Sequence, residues 1–179
     1  MAIELNKESL ECSNKQQLNL LQSIVEIIQM QVYIMEGSIN RILTYEGGLI
    51  VLASWGTAFL NHQDDAPRAI YAALNIKKEL VKFQQDFMVE DDTFVEPPIH
   101  IGIATGDIYQ GIIGRFERKE VVSIGSAFER SFLLMQTAVK HYGKVYVDQV
   151  TKMSANHFMS FEFVEMLEFS HKFLNETIY

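Results

Sequence analysis

The chain has 179 residues, enough for one sizeable core, and its 48% hydrophobic and 21% charged content is that of a globular domain rather than a disordered one. A net charge of −8, with no long basic patch, opposes a phosphate backbone or an anionic lipid surface and excludes nucleic acid as an expected partner. The single cysteine, Cys12, forms no internal disulfide and fits a reducing, cytoplasmic compartment.

Met1 to Cys12 alternates acidic and polar groups without the basic and apolar regions of a signal peptide, and reads as a tail over residues 1–14. From Lys15 to Glu36 the residues Leu21, Ile24, Val25, Ile28, Val32 and Met35 recur at helical spacing, with Asn14 or Ser13 as cap and Gly37 as stop. Leu20, Ile27 and Ile34 add an adjoining stripe, so the helix is expected to be covered on two sides. Asn19, Gln22, Glu26, Gln29 and Gln31 interrupt this stretch, so no membrane span is expected. Two strands follow, Ile39 to Tyr45 and Leu49 to Trp55, around the turn Glu46-Gly47-Gly48. Asp64, Asp65 and Pro67 open a helix that runs to about Phe87 with Ile70, Ala73, Leu74, Lys77 and Leu80 on its inner side. Val89 to Pro98 is a loop.

Ile99 to Thr105 alternates as a strand, Gly106 begins a turn, and Ile108 to Gly114 is expected as the hairpin partner of that strand. Arg115 to Lys119 reads as a charged turn and Glu120 to Ile124 as a strand. Ser126 to Tyr142 reads as a helix, Lys144 to Asp148 as a short strand, and Gln149 to Ser154 as a helical turn. Phe158 to Phe169 is expected to form an edge strand with acidic outward positions. Residues 171–179 are a C-terminal tail, leaving one domain over 15–170. The order of elements gives an α+β fold with a largely antiparallel sheet.

Four stretches together resemble the catalytic domains of class III adenylyl and guanylyl cyclases. They are Gly37 to Gly56; Ala66 to Leu74; Ile101-Gly102-Ile103-Ala104-Thr105-Gly106 with Gly111 and Gly114; and Ser123-Ile124-Gly125 leading to Val145-Tyr146-Val147-Asp148. The string Gly111-Ile112-Ile113-Gly114 and the hairpin length from Gly37 to Gly56 are most similar to the second cyclase domain of soluble, bicarbonate-responsive adenylyl cyclases. The resemblance implies a ferredoxin-like cyclase fold with helices on one face of the sheet. It also implies a head-to-tail partner, a second cyclase-like domain, with the active site at the interface. Gly102, Gly106, Gly111, Gly114 and Gly125 specify this fold rather than any chemistry.

The chemistry that the resemblance implies is degenerate here. One half of such a site supplies two aspartates for two metal ions. The first belongs to an apolar strand before the first helix, of which Ala2-Ile3-Glu4-Leu5 is the only possible remnant. That strand is expected to be missing or truncated, its slot filled imperfectly by the N-terminal residues or by a strand from another chain. The second aspartate position matches Tyr45, with Glu46 the chemical alternative, so no metal site is expected. In the other half, the purine-reading lysine corresponds to Arg41 and its polar partner to Val122. The asparagine that orients the ribose corresponds to Glu129, and the arginine that neutralises the reacting phosphate to Leu133. A carboxylate and a leucine in those two places repel a polyphosphate or leave it unneutralised. Arg130 is one residue from the arginine position, about 100° around the helix. Phe132 stands where the bicarbonate-responsive branch has its activator-binding arginine. His62, His100, His141, His157 and His171 show no metal-ligand spacing.

No cofactor is expected, and ATP or GTP with magnesium or manganese would be required only if the chain were the non-metal half of a heterodimeric cyclase. The expectation is a non-catalytic interaction or regulatory module in a larger assembly; a nucleotide sensor without turnover is the other alternative. By analogy with its relatives such a module is cytoplasmic or belongs to the axoneme of a cilium or flagellum.

Overall fold

Five residues at the start of the chain complete the sheet. In the computed structural model, which describes residues 1–6, 14–45, 48–57, 60–87, 99–138, 144–164, 166–168 and 175–177, β1 (Ala2–Asn6) pairs on both sides. Antiparallel to it lie β3 (Gly48–Ser54), with Ala2 opposite Leu52 and Asn6 opposite Gly48, and β4 (Ile99–Ile103), with Ala2 opposite Gly102 and Leu5 opposite Ile99. With β2 (Ser38–Tyr45) outside β3 and β7 (Val145–Val147) parallel to β4, the strand order is β2-β3-β1-β4-β7.

The expectation of a missing first strand is therefore corrected, as is the assignment of residues 2–6 to a tail. A central slot needs backbone donors and acceptors and inward apolar side chains, not the aspartate-bearing string. Ile3 and Leu5 supply the apolar side chains, 0% and 3% exposed. No strand from another chain is required there. The amino group of Met1 also donates to the Ala53 carbonyl at 3.0 Å, and burial pushes its pKa down to about 5.

The α1 helix (Asn14–Ile34) and the α2 helix (Asp65–Phe87) cover one face. Ile28 and Val32 of α1, and Ala69, Ile70, Ala73, Ile76 and Leu80 of α2, pack on Ile3, Leu5, Val51, Ile101 and Ile103. Each large aliphatic side chain so buried contributes roughly 1.5–3 kcal/mol of transfer free energy. Gly37 was expected to stop α1, but the left-handed residue is Glu36 (φ 58°), and the Gly37 N–H closes the end on Val32 O at 2.8 Å. Gly37 serves packing instead: a Cβ there would sit 2.5 Å from the Trp55 indole, whose Nε1 donates to Met35 O at 2.9 Å.

The α3 helix (Ser126–Ala138) takes the opposite face, so helices cover both faces rather than one. Met135 packs with Ala2 and Ile50. Gly102 makes this approach possible, since a Cβ there would overlap the Ser131 carbonyl oxygen and the Met135 nitrogen. The short α4 helix (Gln149–Ala155) is capped by Asp148, which accepts from Thr151 N at 2.9 Å. None of the described helices is long and apolar enough to cross a membrane.

Two pairings differ from expectation. β5 (Tyr109–Arg115) pairs not with β4 but with β6 (Arg118–Ile124), in a two-stranded ribbon running from Tyr109 opposite Ile124 to Arg115 opposite Arg118. Gly114 (φ 118°) lets the chain close near the tip, where a side chain would meet Arg118 O. Phe158 to Val164 forms no strand; Met159 and Phe161 pack on the core, and β8 (Met166–Glu168) pairs with β9 (Asn175–Thr177) inside the expected C-terminal tail. The Val89 to Pro98 loop, the Glu46-Gly47 turn, Cys12, residues 139–143 with His141, and Phe169 to Phe173 with His171 lie outside the described residues.

Candidate functional site

The site grows from an irregularity in an edge strand. In β2, Ile39 is opposite Ala53 and Arg41 opposite Leu52, which leaves Asn40 as an extra, bulged residue. The bulge brings the Asn40 amide to the ribbon: Nδ2 donates to Ser123 Oγ at 3.3 Å, and Gln110 Nε2 donates to the same oxygen at 3.1 Å. Gln110 and Ser123 face each other across β5 and β6, so one hydroxyl ties the ribbon base to the sheet edge.

Between β2 and β6 lies a cavity of about 410 Å³, within the usual range for small-ligand sites. Its apolar walls include Leu43, Leu52, Val121 and Phe128, and its polar groups are those of Ser38, Asn40, Arg41, Gln110 and Ser123. Arg41 and Val122, placed together by the sequence argument, do line one cleft. Glu129, exposed on α3, and Leu133, half-buried four residues further along, do not line it. Tyr45 lies at the far end of β2 opposite Gly48.

Arg130 is committed elsewhere. Its Nε meets Asp148 Oδ2 at 3.3 Å, Nη2 donates to Thr105 O at 2.6 Å, and Nη1 donates to Ser126 Oγ at 3.2 Å. Asp148, 1% exposed, also accepts from Thr105 N at 3.3 Å, so the pair joins α3, β4 and α4. The guanidinium packs over Gly106, where a Cβ would be 2.6 Å from Nη2. Gly125 allows close passage of the Asp107 carbonyl, whereas a Cβ at Gly111 would meet nothing within 4 Å. Gly111 thus answers to no close approach among the described residues.

Among the described residues no group of three or more His, Cys, Asp or Glu side chains is placed to hold a metal ion. His62 is shared between Glu36 (3.2 Å) and Asp65 (3.3 Å) in a surface network that includes Arg68 and Asp64. His100 is 2% exposed on β4, opposite Glu4 and bonded to the Ala138 backbone; burial pushes its pKa down, against the opposing pull of Glu4. His157 is exposed.

The ribbon is the other notable surface. All seven residues of β5 are exposed. Tyr109, Ile112, Ile113, Val121 and Ile124 are between 60% and 74% exposed, and Phe116 at the tip is 92% exposed. Sequence reasoning missed Asn40, Gln110 and Ser123 as site residues. The readable signal was a polar pair, Gln110 and Ser123, interrupting two apolar strands; the bulge that recruits Asn40 left no such mark.

A sheet ordered β2-β3-β1-β4-β7, helices on both faces and a projecting ribbon together define the fold of class III nucleotide cyclase domains. The chain is similar to the crystal structure of the adenylyl cyclase CyaB from P. aeruginosa, with a TM-score of 0.78 at 16% identity, covering 99% of this chain and 90% of that one. It is similar to the guanylate cyclase domain of RhGC from Catenaria anguillulae in complex with GTP, with a TM-score of 0.74 at 15% identity over 99% of this chain and 92% of that one. The dimeric guanylyl cyclase domain of the RhoGC fusion protein from Blastocladiella emersonii gives 0.73 at 14% identity, with 99% and 92% covered. At these identities the likeness establishes the fold. No protein-family model matches the sequence, and no curated protein matches it.

Proposed function

We infer that this cyclase-fold domain is catalytically degenerate and acts by docking a second protein, most naturally another cyclase-fold domain. The observation that carries this reading is the apolar ribbon, exposed along the whole of β5 and at the Phe116 tip. An isolated two-stranded ribbon is marginal in water, and an apolar one of this size marks an interaction surface. Support for degeneracy comes from Glu129 and Leu133 on α3, at the positions where the resemblance implies an asparagine and an arginine. Cyclisation develops charge on phosphoryl oxygens that these side chains do not neutralise.

Sedimentation of the purified chain, alone and with a metal-competent cyclase domain, tests the reading. Self-association or capture is expected, abolished by Ile112→Glu with Phe116→Glu, and no cyclic nucleotide is expected from ATP or GTP with manganese. A chain that stays monomeric and captures no cyclase domain overturns the docking reading. Cyclic nucleotide from the mixture supports the alternative, the non-metal half of a heterodimeric cyclase, which the Arg41 side of the cleft favours. The likeness of Gly111 to Gly114 to the bicarbonate-responsive branch extends the proposal to a cytoplasmic or axonemal place, tested by imaging the tagged chain in ciliated cells.

A further inference from the structure

The apolar ribbon joins the body at two roots, residues 104–108 between β4 and β5 and Gly125 between β6 and α3. With every residue of β5 exposed, the direction in which the ribbon projects is decided at those roots. They cross in contact: a Cβ at Gly125 would lie 2.3 Å from the Asp107 carbonyl oxygen and 3.1 Å from Ile108 Cα. One side chain holds both. Arg130 Nη2 donates to Thr105 O at 2.6 Å, ahead of the crossing, and Nη1 donates to Ser126 Oγ at 3.2 Å, just behind it. Gly106 leaves room for the guanidinium, since a Cβ there would be 2.6 Å from Nη2. The guanidinium is oriented from its other side by Asp148, whose Oδ2 accepts from Nε at 3.3 Å while Oδ1 accepts from Thr151 N at 2.9 Å. Thr105 N also donates to that carboxylate at 3.3 Å, and Asp148 N donates to Ile103 O at 3.1 Å.

We propose that Arg130 is the positioning residue of the docking ribbon, and that its clasp on Thr105, Ser126 and Asp148 fixes the angle at which Ile112, Ile113 and Phe116 meet the partner. The inference rests on the docking reading and adds to it the group that aims the surface. A strand rises about 3.3 Å per residue, so the seven-residue β5 carries its tip about 23 Å from the root, and a tilt of about 10° there displaces Phe116 by about 4 Å. That is the width of an apolar contact. A ribbon free to pivot must be ordered by its partner on binding, which weakens association; a ribbon held beforehand escapes that cost. An apolar pair of the same volume would hold α3 against α4 about as well as a buried ion pair does, but without a directional grip on Thr105 O. The second root has its own pin, Asn40 Nδ2 on Ser123 Oγ at 3.3 Å. Loss of the Arg130 clasp therefore loosens one root and leaves the ribbon tied to the sheet edge by the other.

Arg130→Lys tests the proposal, because lysine keeps a cation for Asp148 but not the planar fork that reaches Thr105 O and Ser126 Oγ together. Leu80→Ala, a core substitution on the α2 side of the sheet, supplies a loss of stability remote from the ribbon. Each full chain is sedimented alone and with the metal-competent cyclase domain, at a temperature where circular dichroism shows it folded. The dissociation constant is expected to rise about tenfold or more in Arg130→Lys and to stay within about twofold of the parent in Leu80→Ala. Trp55, the chain's one tryptophan, lines a cavity with Gly106, Asp107 and Ile108, so acrylamide quenching of its emission in the chain alone reads the first root directly. Quenching is expected to increase in Arg130→Lys and not in Leu80→Ala. Ser126→Ala, which removes one partner of the guanidinium at an exposed position, is expected to change both readings in the same direction by less. Unchanged docking in Arg130→Lys, or an equal loss of docking in Leu80→Ala, refutes the positioning role, as does unchanged Trp55 quenching. A parent that docks nothing overturns the docking reading instead; a rise in quenching in Arg130→Lys then still assigns Arg130 to the ribbon root, and its absence overturns that as well.

Discussion

Replacing Gly102 by alanine asks whether the helix on the second face is held by the absence of a single methyl group. The added Cβ would overlap the Ser131 carbonyl oxygen and the Met135 nitrogen, and would lie 2.8 Å from Leu134 Cβ. Overpacking costs typically 1–3 kcal/mol when side chains give way. Here two of the three obstacles are helix backbone, so relief requires lifting α3 from β4, which places the cost near 3 kcal/mol. Against that, losing glycine from the unfolded chain returns about 0.5 kcal/mol. The net loss of about 2.5 kcal/mol corresponds to a fall in melting temperature of about 5–10 °C for a chain of this length. Gly111→Ala is the control: nothing lies within 4 Å of its Cβ, and its φ is not among the positive ones, so its melt is expected within about 1 °C of the parent. Urea unfolding followed by circular dichroism measures both. A Gly102→Ala chain as stable as the parent, or a Gly111→Ala chain equally damaged, would refute the packing argument.

Arg130→Met leaves the buried Asp148 carboxylate without its cation, and a loss of about 3 kcal/mol is expected by chemical denaturation. A loss below about 1 kcal/mol would assign the pair to the surface class instead. Stability is also expected to rise with pH across the window from about 5 to 8. Burial lowers the His100 pKa and brings the Met1 amino group from 8.0 to about 5, so between those values the unfolded chain binds more protons than the folded one. Melts from pH 5 to 8 check the sign, and His100→Gln is expected to flatten the part of the rise that ends near pH 6.5, the unfolded imidazole value. A stability that falls over this window would contradict both assignments.

How far the fold could be read depended on which physical signal each element carried. The span of the α2 helix was legible because Asp64, Asp65 and Pro67 mark its start and Ile70, Ala73 and Leu80 repeat at helical spacing, but Leu74, expected on the inner side, is 48% exposed while Ile76 is fully buried. Strand β1 was not, because its two buried aliphatic residues are too few to distinguish a strand from a frayed end. Its evidence lies about fifty and about a hundred residues away, in the edges of β3 and β4. The partner of β5 was misjudged for a related reason. Gly106 looked like a hairpin turn, yet residues 104–108 form a connection, and Ile112 and Ile113 side by side gave no alternation from which to choose a partner. The helix beginning at Ser126 was likewise legible as a helix, but not which face of the sheet it covers. At the cleft, Arg41 and Val122 were named by what the family resemblance implies. Asn40 escaped because a one-residue bulge exchanges inward for outward, an event decided by pairing rather than by local sequence.

The central position of β1 also sets a clock for biosynthesis. Ala2 leaves the ribosome a hundred residues ahead of Gly102, one of its two neighbours in the sheet. At about 5–20 residues per second, that neighbour follows roughly 5–20 s later. Until then β1 has only β3 as a possible neighbour, and its other edge stays unpaired. Local helices and a long-range strand pairing therefore coexist in one small domain, and non-local closure of this sheet is expected to slow its folding.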